Sequence, residues 1–170
     1  TVLVSLDDAL QIVGGTVSGL SGSGLVLQNN AGDDLAINGD GSFTFSSPVD
    51  DGGGYAVSVK TQPGNPGQTC SVSNGSGTVA GANVTNVVVN CASGTYTVGG
   101  TVSGLSGSGL VLQNNAGDDL AINGDGSFTF GTPVNDGGTY FVSVRTQPGN
   151  PGQTCRVYNG SGTLAGANVN

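Results

Sequence analysis

The sequence contains no Glu, His, Met or Trp, and only 3 of its 170 residues are basic. Without His, general acid–base catalysis would depend on Asp alone, so we do not expect an enzyme. The formal net charge of −8 argues against binding to nucleic acid or to an anionic lipid surface. No segment approaches the roughly 20 apolar residues of a membrane span, so we also expect no membrane insertion.

All 11 acidic residues are Asp, and five of the seven in the first half lie within two residues of a glycine. This context is typical of turns, and it favours a turn-forming role over catalysis or metal binding. The residues concerned are Asp33, Asp34, Asp40, Asp50 and Asp51. Calcium binding is the functional alternative, but the Asp-x-Asp-x-Asp-Gly spacing of a calcium loop is missing. We therefore predict no metal and no cofactor.

What the chain has in abundance is glycine, 33 residues, together with Ser, Thr, Asn and Val. Such a composition favours short strands joined by tight turns and leaves little material for helices. The sequence therefore predicts an all-β protein. The chain does not begin with Met, which is typical of a processed or excised polypeptide.

A repeat with a period of 85 residues organises the sequence, because residues 14–85 align with residues 99–170 without a gap. Roughly 62 of these 72 pairs are identical. The same offset aligns residues 1–6 with residues 86–91, Asn-Val-Val-Val-Asn-Cys. We predict two small domains, residues 7–91 closed by a strand at 86–91, and residues 92–170 without a closing strand of their own. Residues 1–6 would then be a surplus copy of that strand.

Alternating apolar residues predict about seven strands in each repeat. Tyr55, Val57 and Val59 should face inward, because they persist in the second repeat while their neighbours change. The second repeat should have a first strand at 95–102 and, after the segment rich in Pro and Gly, a strand around Cys155. The same alternation in residues 86–91 turns Val87, Val89 and Cys91 inward.

The three cysteines divide into one pair and one single residue. Residues 69–73 and 86–91 are predicted to form antiparallel strands joined by a glycine-rich connection, which would place Cys70 opposite Cys91. We expect a disulfide there, worth roughly 3 kcal/mol, with two buried free thiols as the alternative. Cys155 has no such companion and is expected to be a buried, unpaired sulfur. Cysteines in a small, turn-rich chain favour an oxidising, extracellular location.

Several segments together resemble a known class of modules: Gly-Gly-Thr-Val-Ser-Gly-Leu, Gly-Leu-Val-Leu-Gln-Asn-Asn, Asp-Gly-Ser-Phe-Thr-Phe, Tyr-Phe-Val-Ser-Val and Gln-Pro-Gly-Asn-Pro-Gly-Gln-Thr-Cys. The set resembles the tandem immunoglobulin-like repeats of bacterial surface proteins, with cores similar to prealbumin, Cna-B or carboxypeptidase-regulatory-like sandwiches. The resemblance implies two tandem β-sandwich domains of about seven strands each. It also implies a cell-surface role as a stalk, an adhesin segment or a fibre subunit.

A domain without its last strand exposes an apolar groove and an unpaired backbone edge, which invite a strand from elsewhere. We therefore predict a pilus-like extracellular filament, in which the chain's partner is itself and each subunit donates residues 1–6 to the next. The donor residues are Val2, Leu3, Val4, Ser5 and Leu6. The predicted acceptor groove contains Cys155 and Val157, and further subunit contacts are expected at Phe141, Arg156 and Tyr158.

Two other interpretations remain open. The chain could be a segment of a longer repeat stalk, in which the missing strand simply follows Asn170. It could also be an adhesin module that binds a glycan, a host protein or a matrix ligand. An enzyme is the least favoured interpretation.

Overall fold

The structure is a computed structural model, and it describes residues 9–170. Within that range there are 16 strands and no helix, which confirms the all-β prediction. The chain divides into two compact units, residues 1–93 and 94–170, and each is described by itself.

The first unit contains two four-stranded sheets in a sandwich-like arrangement. Its strands are β1 (Val13–Ser18), β2 (Leu25–Asn29), β3 (Asp33–Ile37), β4 (Gly41–Thr44), β5 (Gly54–Thr61), β6 (Gln68–Ser73), β7 (Ser76–Thr78) and β8 (Val84–Ser93). One sheet has the order β4-β1-β8-β6 and the other the order β3-β2-β5-β7. The β1–β8 pairing is parallel, while β6 pairs with β8 in the antiparallel direction. Thus β8 is a central strand, and β6 is an edge strand that pairs only with it.

The core of the first unit follows the alternation seen in the sequence. Leu25 and Leu27 of β2 and Val87 and Val89 of β8 are fully buried, whereas Asn90 is exposed. Each fully buried Val or Leu stabilises the fold by roughly 1.5–3 kcal/mol. The inward positions predicted for β8 are therefore confirmed.

Cys70 on β6 lies opposite Cys91 on β8, and the two sulfurs are bonded at 2.00 Å. The predicted disulfide is confirmed, and the alternative of two free thiols is wrong. The glycine-rich connection between the two cysteine strands contains the short strand β7. This strand pairs with β5, and Tyr55 lies opposite Gly77.

The second unit contains β9 (Thr95–Tyr96), β10 (Gly99–Val102), β11 (Leu110–Asn114), β12 (Asp118–Ile122), β13 (Gly126–Thr129), β14 (Val134–Asn135), β15 (Thr139–Thr146) and β16 (Ser161–Thr163). The sheet β12-β11-β15-β16 reproduces β3-β2-β5-β7, and β10 pairs with β13 as β1 pairs with β4. The predicted first strand at 95–102 is wrong as a single element. It divides into β9 and β10 because β9 pairs with β14 while β10 pairs with β13.

The predicted strand around Cys155 is also wrong for this structure, because residues 153–157 are not assigned to any strand. The physical reason lies in the first unit, where β6 pairs only with β8. Among the described residues, the second unit contains no strand equivalent to β8. An edge strand that loses its single partner loses its ladder of backbone hydrogen bonds.

Candidate functional site

The most distinctive feature of the second unit is an open strand position beside β10. In the first unit β8 fills this position, between β1 and β6. In the described part of the second unit, β10 pairs with β13 on one side, and on the other side only a single bridge joins Val98 to Val169. We call the place where the counterpart of β8 would lie the open position.

Among residues 9–170, the chain enters the open position and occupies only its beginning. The parallel bridge from Val98 to Val169 corresponds, at the 85-residue offset, to that from Val13 to Val84. The amide of Val169 donates to the Thr97 carbonyl at 3.0 Å, and the Val169 carbonyl accepts from Gly99 at 2.8 Å. The counterpart of β8 therefore starts in the same direction as in the first unit.

Side chains around the open position are more exposed than their identical counterparts. In the first unit Val17, Phe43 and Cys70 are 3%, 7% and 4% exposed. Their counterparts Val102, Phe128 and Cys155 are half-buried, and Val157 is exposed where Val72 is half-buried. These side chains are the same in both repeats. The difference therefore follows from the position of β8, where the described part of the chain places no strand in the second unit.

A groove of about 530 Å³ lies between β15 and the segment that carries Cys155. Its lining residues are Phe141, Val142, Ser143, Val144, Cys155, Arg156, Val157, Gly160 and Ser161. Both predicted acceptor residues, Cys155 and Val157, lie in this lining. The Cys155 thiol is free, as expected, but it is half-buried and not fully buried.

The segment around Cys155 is held in place by a glutamine side chain. Gln147 Oε1 accepts from the Cys155 amide at 2.7 Å, and Gln147 Nε2 donates to the Cys155 carbonyl at 3.0 Å. Gln62 makes the same two bonds to Cys70, at the same distances, in the first unit. This wall of the groove is therefore fixed before any strand enters, which lowers the entropy cost of binding one.

A second glutamine joins the start of the Cys155 segment to the loop between β10 and β11. Gln153 Oε1 accepts from the amides of Ser106 and Gly107, both at 2.8 Å, while its Nε2 donates to the Gly104 carbonyl at 2.9 Å. Sequence reasoning missed both glutamines, because two polar residues that are identical in both repeats carry no visible signal of their role.

In the first unit, β8 approaches two glycines so closely that neither could carry a side chain. A Cβ on Gly15 would lie 1.8 Å from the Val87 carbonyl oxygen, and one on Gly19 would lie 2.4 Å from the Cys91 carbonyl oxygen. Their counterparts are free of such contacts, since a Cβ on Gly100 would meet only the Phe128 ring and one on Gly104 nothing within 4 Å. The second unit thus keeps the glycines that a closely packed parallel strand requires.

Three exposed side chains near the groove occur only in the second repeat. Phe141 and Tyr158 are 60% and 81% exposed, and they replace Ala56 and Ser73. Arg156 is also exposed. Their outward direction agrees with the predicted alternation, while their contact with another subunit stays a prediction.

The basic side chains differ in their partners. Lys60 pairs with Asp34, and Arg145 pairs with Asp119. Between residues 9 and 170, Arg156 forms no ion pair with a carboxylate. A cation with no carboxylate partner among the described residues is notable in a chain of net charge −8.

The aspartates hold turns and strands together. Asp40 accepts from the amides of Gly19 and Leu20, at 3.0 and 2.7 Å. Asp33 and Asp34 belong to β3, so their predicted place in a turn is wrong. The pairing of β2 with β3 extends as far as Asn29 and Asp33. The hairpin turn between the two strands therefore ends before Asp33. The hydrogen bond from Lys60, and then that from Gln28, lowers the pKa of Asp34 below its ordinary value of 3.8.

The described residues include no group of three or more His, Cys, Asp or Glu side chains that could hold a metal ion. None of those residues belongs to a helix long and apolar enough to cross a membrane. The predicted donor residues Val2, Leu3, Val4, Ser5 and Leu6 lie outside the described part of the chain.

Comparison of the chain with protein-family models, with curated proteins and with solved structures found no match. The open position in the second unit is therefore the feature from which a function can be inferred.

Proposed function

We propose that the chain is the structural subunit of an extracellular, pilus-like bacterial filament, in which residues 1–6 of one copy fill the open position of another. Each of its two tandem units would then be an immunoglobulin-like sandwich completed by a strand in the position of β8. The observation that carries the proposal is the open position in the second unit. In the first unit, whose sequence is nearly identical, β8 fills the same position.

The sequence of residues 1–6 suits this position. At the 85-residue offset Val2, Val4 and Leu6 correspond to Val87, Val89 and Cys91, which all lie on the buried face of β8. Leu6 in place of cysteine would fill the site beside Cys155 with an apolar side chain and leave the contact non-covalent.

The first unit also gives the register. Gly15 pairs with Val87 and Val17 with Val89 in the parallel direction, while Cys70 lies opposite Cys91. At the 85-residue offset Val2 of the incoming copy lies beside Gly100 and Val4 beside Val102. Leu6 of that copy then lies opposite Cys155.

The contact gains free energy from apolar burial and from backbone hydrogen bonds, before the costs of association are subtracted. Burying Val2, Val4 and Leu6 stabilises the contact by roughly 1.5–3 kcal/mol each. Backbone hydrogen bonds on both sides of the strand add about 0.5–1.5 kcal/mol each. The fixed position of the Cys155 segment reduces the part of the association cost that comes from ordering the groove.

The symmetry of the contact determines the form of the assembly. The donor lies at the head of the chain and the acceptor in the second unit, so the two surfaces of the contact are different. A head-to-tail contact that does not close into a ring generates an open filament. The Cys70–Cys91 disulfide is compatible with an extracellular location, and the proposed filament needs no cofactor, metal or nucleic acid.

Deletion of residues 1–6 tests the proposal. The full chain should form filaments visible by electron microscopy, and the truncated chain should remain a monomer. Since the truncated chain keeps its acceptor groove, adding it to the full chain should shorten the filaments. Filaments formed by the truncated chain alone, or a full chain that never assembles, would contradict the proposal.

One observation favours a second candidate, a segment of a longer cell-surface stalk or adhesin. Because Val169 already leads into the open position, residues following Asn170 in a longer chain could complete the strand. Intact mass of the native polypeptide separates the two, since about 16.5 kDa fits the filament subunit and a much heavier chain fits the stalk. Binding on a glycan array, or to a host or matrix protein, would support the adhesin.

A further inference from the structure

In the first unit, the outward face of the β6–β8 pair carries small and mostly polar side chains. Ser71 lies opposite Asn90, and Ser73 lies opposite Val88. All of these except Val88 are exposed, and Val88 is half-buried. This face is separate from the buried one that carries Cys70 and Cys91.

In the second repeat this face has changed. Only 10 of the 72 aligned positions differ between the repeats, and two of them are Ser71 to Arg156 and Ser73 to Tyr158. Both substitutions place a large side chain beside the open position.

The head of the chain differs from β8 on the same face. Leu3 stands at the position of Val88, and Asp7 at that of Ala92. At the register of the first unit, Tyr158 lies opposite Leu3 of the incoming copy. Arg156 lies opposite Ser5, so that its diagonal neighbours are Leu3 and Asp7. Diagonal neighbours across an antiparallel pair are within reach of long side chains such as Arg.

We propose, on the basis of the filament described above, that Tyr158 and Arg156 select residues 1–8 of another copy over a strand with the sequence of β8. Tyr158 packs against Leu3, and Arg156 pairs with the carboxylate of Asp7. Both side chains are available for these contacts. Tyr158 is 81% exposed, and Arg156 has no ion pair among residues 9–170. A β8 sequence offers Val88 and Ala92 at these two places, so it has no carboxylate for Arg156 and only a smaller apolar side chain for Tyr158.

This selection has a consequence for assembly. The chain contains two strands that fit the same kind of position, residues 1–6 and residues 86–91. If the groove accepted both equally, β8 of one copy could exchange into the second unit of another and produce a mismatched contact. Two specific cross-strand pairs bias the groove toward the head of the chain.

Charge exchange between Arg156 and Asp7 tests the ionic pair. The quantity measured is the critical concentration of filament assembly, by sedimentation, at low salt. Arg156→Asp and Asp7→Arg should each raise it about tenfold, because each places like charges together. The double variant should return to within about threefold of the unmodified chain, and the single-variant effects should shrink in high salt. Arg145→Gln is the matched control, since Arg145 pairs with Asp119 on another sheet, and its critical concentration should not change.

The apolar pair is tested by a second cycle. Tyr158→Ser restores the residue of the first repeat and should raise the critical concentration by up to about fivefold, the upper range for a cross-strand pair. In a Leu3→Ala background the same substitution should have little further effect.

The outcomes separate the two proposals. Filaments that require residues 1–6 but respond to none of these variants would overturn the selection and leave the filament intact. Additive effects in either cycle would also overturn it. Filaments that form without residues 1–6 would overturn both.

Discussion

The substitution Gly100→Ala should separate folding of the subunit from its assembly. Gly100 lies on β10, at the edge that faces the open position. A Cβ there meets only the Phe128 ring, at 3.1 and 3.2 Å, which a shift of a few tenths of an ångström by this half-buried side chain relieves. We therefore expect the variant to fold with a free energy of unfolding within about 1 kcal/mol of the unmodified chain.

Assembly should be affected far more strongly. In the first unit the corresponding Cβ would lie 1.8 Å from the Val87 carbonyl oxygen, whereas ordinary contact begins at 3.4 Å. An incoming strand at the same register would have to move by about 1.6 Å, the difference between these two distances. Backbone hydrogen bonds do not survive such a shift. Losing two of them costs about 1–3 kcal/mol, which raises the critical concentration roughly 5- to 150-fold.

Two control variants sharpen the interpretation. Gly15→Ala makes the same change beside β8, where the strand belongs to the chain itself, and it should destabilise folding of the first unit. Gly131→Ala adds a methyl group where nothing lies within 4 Å and where the first repeat carries Ser46, so both folding and assembly should be unchanged.

Thermal unfolding and electron microscopy of all three variants provide the measurements. Normal filaments from Gly100→Ala would refute the parallel register beside β10. Loss of folding in that variant would refute the inference that the open position is empty in the free subunit.

The remaining predictions concern the first unit. Replacing both Cys70 and Cys91 with Ala should lower the free energy of unfolding of that unit by about 3 kcal/mol and leave the second unit unchanged, as urea titration would show; no loss would mean that the bond does not constrain the unfolded chain. Lys60→Met should raise the pKa of Asp34 toward its ordinary value of 3.8, measured by NMR titration. Because the folded-state pKa of Asp34 is lowered, its contribution to stability is present above pH 3.8 and is lost as pH falls through the lower folded-state pKa. An Asp34 pKa that Lys60→Met leaves unchanged would refute this assignment.

Much of the fold could be predicted because the repeat supplies an internal comparison. Residues that persist across the two copies while their neighbours change, such as Val57 beside Ala56, reveal which face of a strand is buried. A separate argument placed Cys70 opposite Cys91, because the two strands that carry them are joined by a glycine-rich connection and were expected to pair in the antiparallel direction.

One error came from expecting the cysteine strand of the first repeat in the second repeat as well. Residues 68–73 and 153–158 are nearly the same in sequence, yet only the first segment forms a strand, because its partner β8 lies beside it. Secondary structure at a sheet edge depends on a neighbour that local sequence does not encode. The division of residues 95–102 into β9 and β10 has a similar cause, since the two halves pair with different strands.

The candidate site could be located from the sequence, but its construction could not. The missing strand followed from the alignment, and with it Cys155 and Val157 as groove residues. The supporting bonds from Gln147 and Gln153 depend on the geometry of the Pro- and Gly-rich loop, for which the sequence offers no simple pattern.

The most direct test of the filament contact is a cysteine introduced at the head of the chain. In a Leu6→Cys variant the new thiol should form a disulfide with Cys155 of another copy, because the corresponding Cys70 and Cys91 are bonded in the first unit. Mixed unlabelled and ¹⁵N-labelled subunits, oxidised and analysed by mass spectrometry, should yield linked peptides that carry one label each. Ser5→Cys is the control, since at the proposed register its side chain would face outward and should not bond Cys155. Crosslinks confined to single chains, or no crosslink at all in assembled Leu6→Cys filaments, would contradict the account.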